Sequence, residues 1–232
     1  MDFDHGMIPI KWFGDRKAYD KSNLKVVTVG LNPSDKEFRE RGGQSFSTEL
    51  RFPHYQANKP KTLISALNAY FKTNPYKWFN AFEHILNGMN ASYYDKDEFP
   101  CRALHTDICS SWATDPTWSK LPKKEREKLY NDKDYGHPFW IKLIAKLKPD
   151  IIVASIARNY IVDLGIADTE KLIYRIDIKK DGTPRKHPIK VFRYDYCGIP
   201  LINCSSICNP HTSLSKESQK KIANKIKKCL LQ

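Results

Sequence analysis

Four stretches of this chain place polar or aromatic side chains where an apolar run stops. Gly30-Leu31-Asn32-Pro33-Ser34 follows the first run, and Leu104-His105-Thr106-Asp107 ends the second. Ser155 closes the third, and Cys208-Asn209-Pro210-His211-Thr212-Ser213-Leu214-Ser215 follows the fourth. Each residue type allows a definite chemistry. The amide of Asn32 donates and accepts hydrogen bonds but takes up no proton at neutral pH, so it can orient a water without being a strong base. An ionised Asp107 offers acceptors only, whereas a histidine such as His211 can donate to an oxygen that is gaining charge. No phosphate-cradling Gly-rich loop and no cluster of metal-binding carboxylates occurs, which counts against nucleotide hydrolysis of the usual kinds. Cys204 and Cys208 have a metal-like spacing, but no second pair or His-x-x-x-His completes a set. No metal or other cofactor is therefore expected.

These stretches need a scaffold, and the pattern between them supplies one. Leu24–Gly30, Arg102–Cys109, Asp150–Ser155 and Ile199–Cys204 are short, apolar and in part β-branched, as buried strands are. Helical spacing over Thr62–Phe71, Trp78–Leu86 and Phe139–Leu147, with a short helix at Arg158–Leu164, separates them. Lys120–Lys133 is charged and reads as a solvated helix and loop. Lys171–Ile178 and Ile189–Tyr196 alternate around Asp181-Gly182 and predict a β-hairpin with a basic tip of Lys179, Lys180, Arg185, Lys186 and Lys190. A lysine-rich helix ends the chain. Strands alternating with helices predict an α/β fold: three layers, α/β/α, with a central, mostly parallel four-stranded sheet and an inserted β-hairpin. With no repeat or long linker, residues 1–232 read as one domain. In such sheets ligands bind beyond the carboxyl ends of the strands, where the unusual residues lie.

Composition narrows the partner. The 232 residues are 41% hydrophobic and 12% aromatic, enough for a packed core, and carry a formal net charge of +13. That excess favours a polyanion. No apolar run approaches the roughly 18–20 residues that span a bilayer, and the opening residues contain no signal-like apolar core. The expectation is a cytoplasmic monomer that binds DNA and no membrane. The six cysteines (Cys101, Cys109, Cys197, Cys204, Cys208 and Cys229) then read as reduced, mostly buried thiols.

Val26-Val-Thr-Val-Gly30-Leu31-Asn32-Pro33-Ser34 resembles the first motif of the uracil-DNA glycosylase superfamily, nearest to its mismatch-specific and single-strand-selective branches. Asn209-Pro210-His211-Thr212-Ser213-Leu214-Ser215 resembles the second motif, with one extra residue that leaves its register open by one position. Gly43-Gln-Ser-Phe46-Ser47 is similar to the loop carrying the stacking aromatic, and Leu104–Cys109 to the strand whose end reads the base. No cysteine precedes Cys101, so the N-terminal iron–sulfur ligands of some branches are not expected.

The resemblance implies a monofunctional glycosylase. It flips a base out of the stack, hydrolyses its N-glycosidic bond and leaves an abasic site. Asn32 and His211 would be catalytic, the one orienting water and the other (or Asn209) donating to the departing base. Leu31, Ser34, Phe46, Asp107 and Asn209 would hold the base. Ser213, Leu214, Ser215 and Lys216 would meet DNA, with Leu214 as an apolar wedge. Plainer roles stand beside each of these. Asn32 could cap a following helix, Phe46 could be core, His211 could be a surface histidine and Leu214 could staple the last helix. The lysines of that helix could be a solvated face.

Two departures bear on the base. Ser34 stands where strict uracil enzymes have a bulky Tyr that bars groups on carbon five. Asp107 stands at the reader position, usually Asn, and its acceptors suit the exocyclic amine of cytosine. The expectation extends to a five-substituted cytosine, hydroxymethylated or glucosylated, and to defence against viral DNA carrying it. Against this, Asp107 could be structural with Thr106 as reader. The whole chain could also be a non-catalytic nucleic-acid-binding module with a glycosylase-like fold.

Overall fold

Val26–Gly30 (β1) is buried at every position, and a strand reads that way when both faces of its sheet are covered. The structure is a computed structural model that describes residues 7–39, 47–59, 61–179, 181–208 and 214–230. Within these, Arg16–Asp20 (α1) precedes β1; Lys61–Ala69 (α2), Asn80–Gly88 (α3), Ala91–Ser92 (β2) and Cys101–Asp107 (β3) follow it. Lys123–Tyr130 (α4), His137–Leu147 (α5), Ile151–Ala154 (β4) and Arg158–Asp163 (α6) come next. Lys171–Ile178 (β5), Pro184–Tyr196 (β6), Ile199–Asn203 (β7) and Lys216–Leu230 (α7) complete the order.

Among the described residues these strands form one seven-stranded sheet in the order β2-β3-β1-β4-β7-β6-β5. The mostly parallel α/β sheet is as expected, but it has seven strands rather than four, and the strands of the inserted β-hairpin belong to it. The first five strands are parallel, and the hairpin extends the sheet antiparallel to β7, from Phe192↔Asn203 to Tyr196↔Ile199. β6, 13 residues long, makes this join: it pairs with β5 from Pro184 to Arg193 and with β7 on its other side from Phe192 to Tyr196. β2 has two residues, too few to leave a periodic signal.

Consecutive residues of a strand point to opposite faces, so β3 locates the helical layers. His105 meets the rings of Phe79 and, from α3, Phe82, with centroids at 5.2 and 5.7 Å. Thr106 accepts a hydrogen bond from Nε1 of Trp140 on α5 at 3.0 Å. Hence α3 and α5 cover opposite faces. α7 packs on α3 so closely that a Cβ placed on Gly88 would lie 2.3 Å from that of Ala223. Gly88→Ala is therefore expected to cost about 1–3 kcal/mol by overpacking, despite the gain alanine brings to a helix. Chemical denaturation measures the loss, and adding Ala223→Gly restores it. Among the described residues no helix is long and apolar enough to cross a membrane.

Candidate active site

β1 lies between strands visited in opposite directions: the chain moves first to β2 and β3, then back past β1 to β4 and β7. At such a switch point the loops diverge and open a crevice at the carboxyl edge of the sheet. A cavity of about 500 Å³ occupies that place. Leu31, Asn32 and Ser34 after β1, Asp107 at the end of β3, Ser155 after β4, and Ser205 and Cys208 after β7 all line it.

The loop after β1 is held by the loop after β3. Ile108 and Cys109 donate through their backbone N–H to the carbonyls of Gly30 and Leu31 at 3.1 and 2.8 Å. Thr114 N–H donates to Pro33 O at 3.2 Å, and Asp35 N–H to Thr114 O at 3.4 Å. This frame sets the orientation of Asn32. A carbonyl only accepts, so the side-chain nitrogen must be the atom facing Pro33 O, at 2.8 Å. The second N–H of that nitrogen donates to Thr114 Oγ1 at 2.7 Å. With both donors committed, Oδ1 accepts no hydrogen bond from the described residues, and Asn32 lines the cavity. Ser34, not Asn32, caps the following turn Asp35–Phe38, with its side chain accepting from Lys36 N–H at 3.3 Å.

A polar line runs from Asp107 into the sheet. Asp107 Oδ1 lies 3.5 Å from Nε2 of His105, and both side chains are buried. If Nε2 carries the proton toward the carboxylate, Nδ1 of the neutral ring accepts from Thr28 Oγ1 at 2.7 Å. Thr28 in turn accepts from the buried hydroxyl of Tyr93. Register explains the meeting, since Thr28 pairs with His105 and Gly30 with Asp107 across β1 and β3. Gly30 leaves room for this meeting: a Cβ there would lie 2.7 Å from Asp107 Oδ1 and 3.1 Å from His105 Nε2 and would displace the carboxylate. On the far side Asn203 of β7 accepts from Ile156 N–H at 3.2 Å and donates to Ile156 O at 3.1 Å, tying down the loop that carries Ser155.

Aromatic rings form the remaining wall. Tyr76, Trp78, Phe79 and Trp118 line the cavity; Trp78 meets Phe79 edge-on at 5.3 Å, and Trp118 donates through Nε1 to Tyr160 OH at 2.7 Å. Tyr76 belongs to none of the sequence motifs, and Trp78 opens a stretch of helical spacing. The signal was the aromatic run Tyr76-Lys-Trp-Phe79 directly after the Asn74-Pro75 break. Glu37 was missed as well. It lines the cavity while buried, its carboxyl accepts from Tyr70 OH at 2.5 Å, and burial pushes its pKa up to about 7. Cys208 also lines the cavity, where burial holds its thiol well above the usual range and so uncharged.

Leu31, Asn32, Ser34 and Asp107 are thus brought into one cavity. The expected site residues Phe46, Asn209, His211 and Ser213 lie outside the described residues. Leu214 is half-buried against the hydrophobic core. Ser215 serves as a cap of α7, its hydroxyl accepting from Ser218 N–H at 3.1 Å, and Lys216 is exposed at the start of that helix.

The fold and cavity define a class: a mostly parallel α/β protein with an aromatic-walled crevice at its switch point, lined on one side by the amide of Asn32. Comparison with protein-family models, with curated proteins and with solved structures returns no match.

Proposed function

We propose that this chain is a DNA N-glycosylase that receives a flipped pyrimidine in this cavity and hydrolyses its N-glycosidic bond. The observation that carries the reading is Asn32, whose two amide hydrogens are committed and whose Oδ1 is left to hold a water beside the aromatic wall. Such an amide can aim a nucleophile but cannot deprotonate it, which suits a reaction driven by departure of the leaving group. Tyr76 and Trp78, both half-buried, line the cavity and supply the rings against which an extruded base stacks. Asp107 reads the base edge, and its acceptors favour an exocyclic amine over the ring N–H and second carbonyl of uracil. Ser34 leaves room for a substituent on carbon five. The formal charge of +13 and the exposed Lys216, Lys220, Lys221, Lys225 and Lys228 along α7 supply the attraction to phosphates.

The test is a panel of duplexes bearing uracil, mismatched bases and five-substituted cytosines, scored by alkali cleavage at abasic sites. The expected result is cleavage at a modified cytosine. DNA binding without an abasic site on any duplex would replace this reading with that of a non-catalytic binding module.

A further inference from the structure

Resting on the glycosylase reading, we propose that Glu37 is the general acid of the reaction, donating its proton to the departing base and thereby suiting the site to cytosine-type bases. The placement is geometric. The turn Asp35–Phe38 begins at the Ser34 cap and brings Glu37 back to the cavity that Asn32 lines. Its carboxyl sits among three groups from separate parts of the fold. Tyr70 OH, itself fixed by Tyr76 N–H at 3.0 Å, donates to Oε2 at 2.5 Å. Arg51 keeps its Nε 3.9 Å from Oε2, too far for a hydrogen bond, and spends an N–H on Asn74 O at 2.6 Å. Asp107 faces it from the end of β3 with a like charge. On its own turn Asp35 pairs with Arg39 instead. Burial outweighs the help from Tyr70 and Arg51, and Asp107 adds to it, so the acid is half-protonated near pH 7. A donor poised at the working pH is what proton transfer to a leaving group needs.

The leaving group explains the need. Uracil departs as an anion whose charge two carbonyls share. Cytosine has one carbonyl and an electron-donating amine, so its anion leaves poorly unless a proton accompanies it. In the step, the bond from the sugar's anomeric carbon to N1 breaks with its electron pair passing to the base. The Glu37 proton goes to O2 or N3 of that base, which leaves neutral. The water on Asn32 forms the new bond to the anomeric carbon and releases a proton to solvent, from which Glu37 is recharged.

The experiment measures base release against pH on duplexes carrying a five-substituted cytosine and on duplexes carrying uracil. Wild type is expected to lose cytosine activity as pH rises through about 7. Glu37→Gln should remove that falling limb and slow cytosine release by about 10²–10⁴-fold at pH 6, with a much smaller effect on uracil. Tyr70→Phe removes a hydrogen bond that favours the ionised form, so the limb should move to higher pH. Thermal unfolding gives a readout without substrate. A carboxyl whose folded pKa exceeds its unfolded value stabilises below that value and loses the contribution as pH rises through the folded one. Wild type should therefore lose melting temperature from pH 5 to 8 by an increment absent in Glu37→Gln. An unchanged limb, an unchanged melting increment, or an equal loss on both bases overturns the role of Glu37 while leaving the glycosylase reading intact. Absence of base release by wild type from every duplex at every pH overturns the glycosylase reading, and this inference with it.

Discussion

Asn32→Ala is expected to slow base release by about 10²–10³-fold while leaving DNA affinity within a few-fold of wild type, since removing one preorganised polar group from a reacting centre costs about that much. The argument rests on what the amide is doing. Both of its hydrogens are spent, one on Pro33 O of its own loop at 2.8 Å and one on Thr114 Oγ1 of the loop after β3 at 2.7 Å, so the side chain is locked before substrate arrives. Its remaining acceptor then costs no reorganisation when a water is held. Single-turnover release and a DNA-binding titration separate the two effects. Thr114→Val provides the graded control: it removes one of the two hydrogen-bond partners but keeps Asn32, and should give an intermediate rate. A rate for Asn32→Ala equal to wild type would reduce Gly30–Ser34 to a turn.

Asp107→Asn should reverse base preference by about one to two decades, the worth of roughly 1–3 kcal/mol for a well-placed hydrogen-bond pair. A carboxylate can only accept, whereas an amide offers one donor and one acceptor, matching the carbonyl and ring N–H of uracil. Competition between uracil and five-substituted cytosine duplexes measures the change. The substitution also removes the negative charge that raises the pKa of Glu37, so the falling limb of the pH profile should shift to lower pH. The two readouts check each other. Wild type that excises uracil and ignores every cytosine derivative would defeat the reader role of Asp107.

Much of the scaffold is legible along the chain because its signals are local. Val26–Val29, Ile151–Ala154 and Leu201–Ile202 are apolar runs, and they prove to be buried strands. The position of Leu31, Asn32, Ser34 and Asp107 at strand ends implies a shared edge once the strands are taken as parallel, and these residues do line one cavity. The capping question was not legible. Asn32 and Ser34 are both good cap residues, and only the backbone path after Pro33 selects Ser34 for the turn and frees Asn32 for the cavity.

The sequence by itself therefore determined the alternation of strands and helices, the basic charge and the strand-end placement of the polar residues, because periodicity and turn chemistry act over a few neighbours. Tertiary structure decided which groups meet. Glu37 is an ordinary carboxylate until Tyr70, Arg51 and Asp107, distant in sequence, close around it and burial makes ionisation costly. His105 and Thr28 become one polar line only through the β1–β3 register. The hairpin joins the sheet through β6, which pairs with β5 on one side and with β7 on the other. A carboxyl's pKa and a strand's partner depend on what lies across space, and neither is encoded in the residues next along the chain.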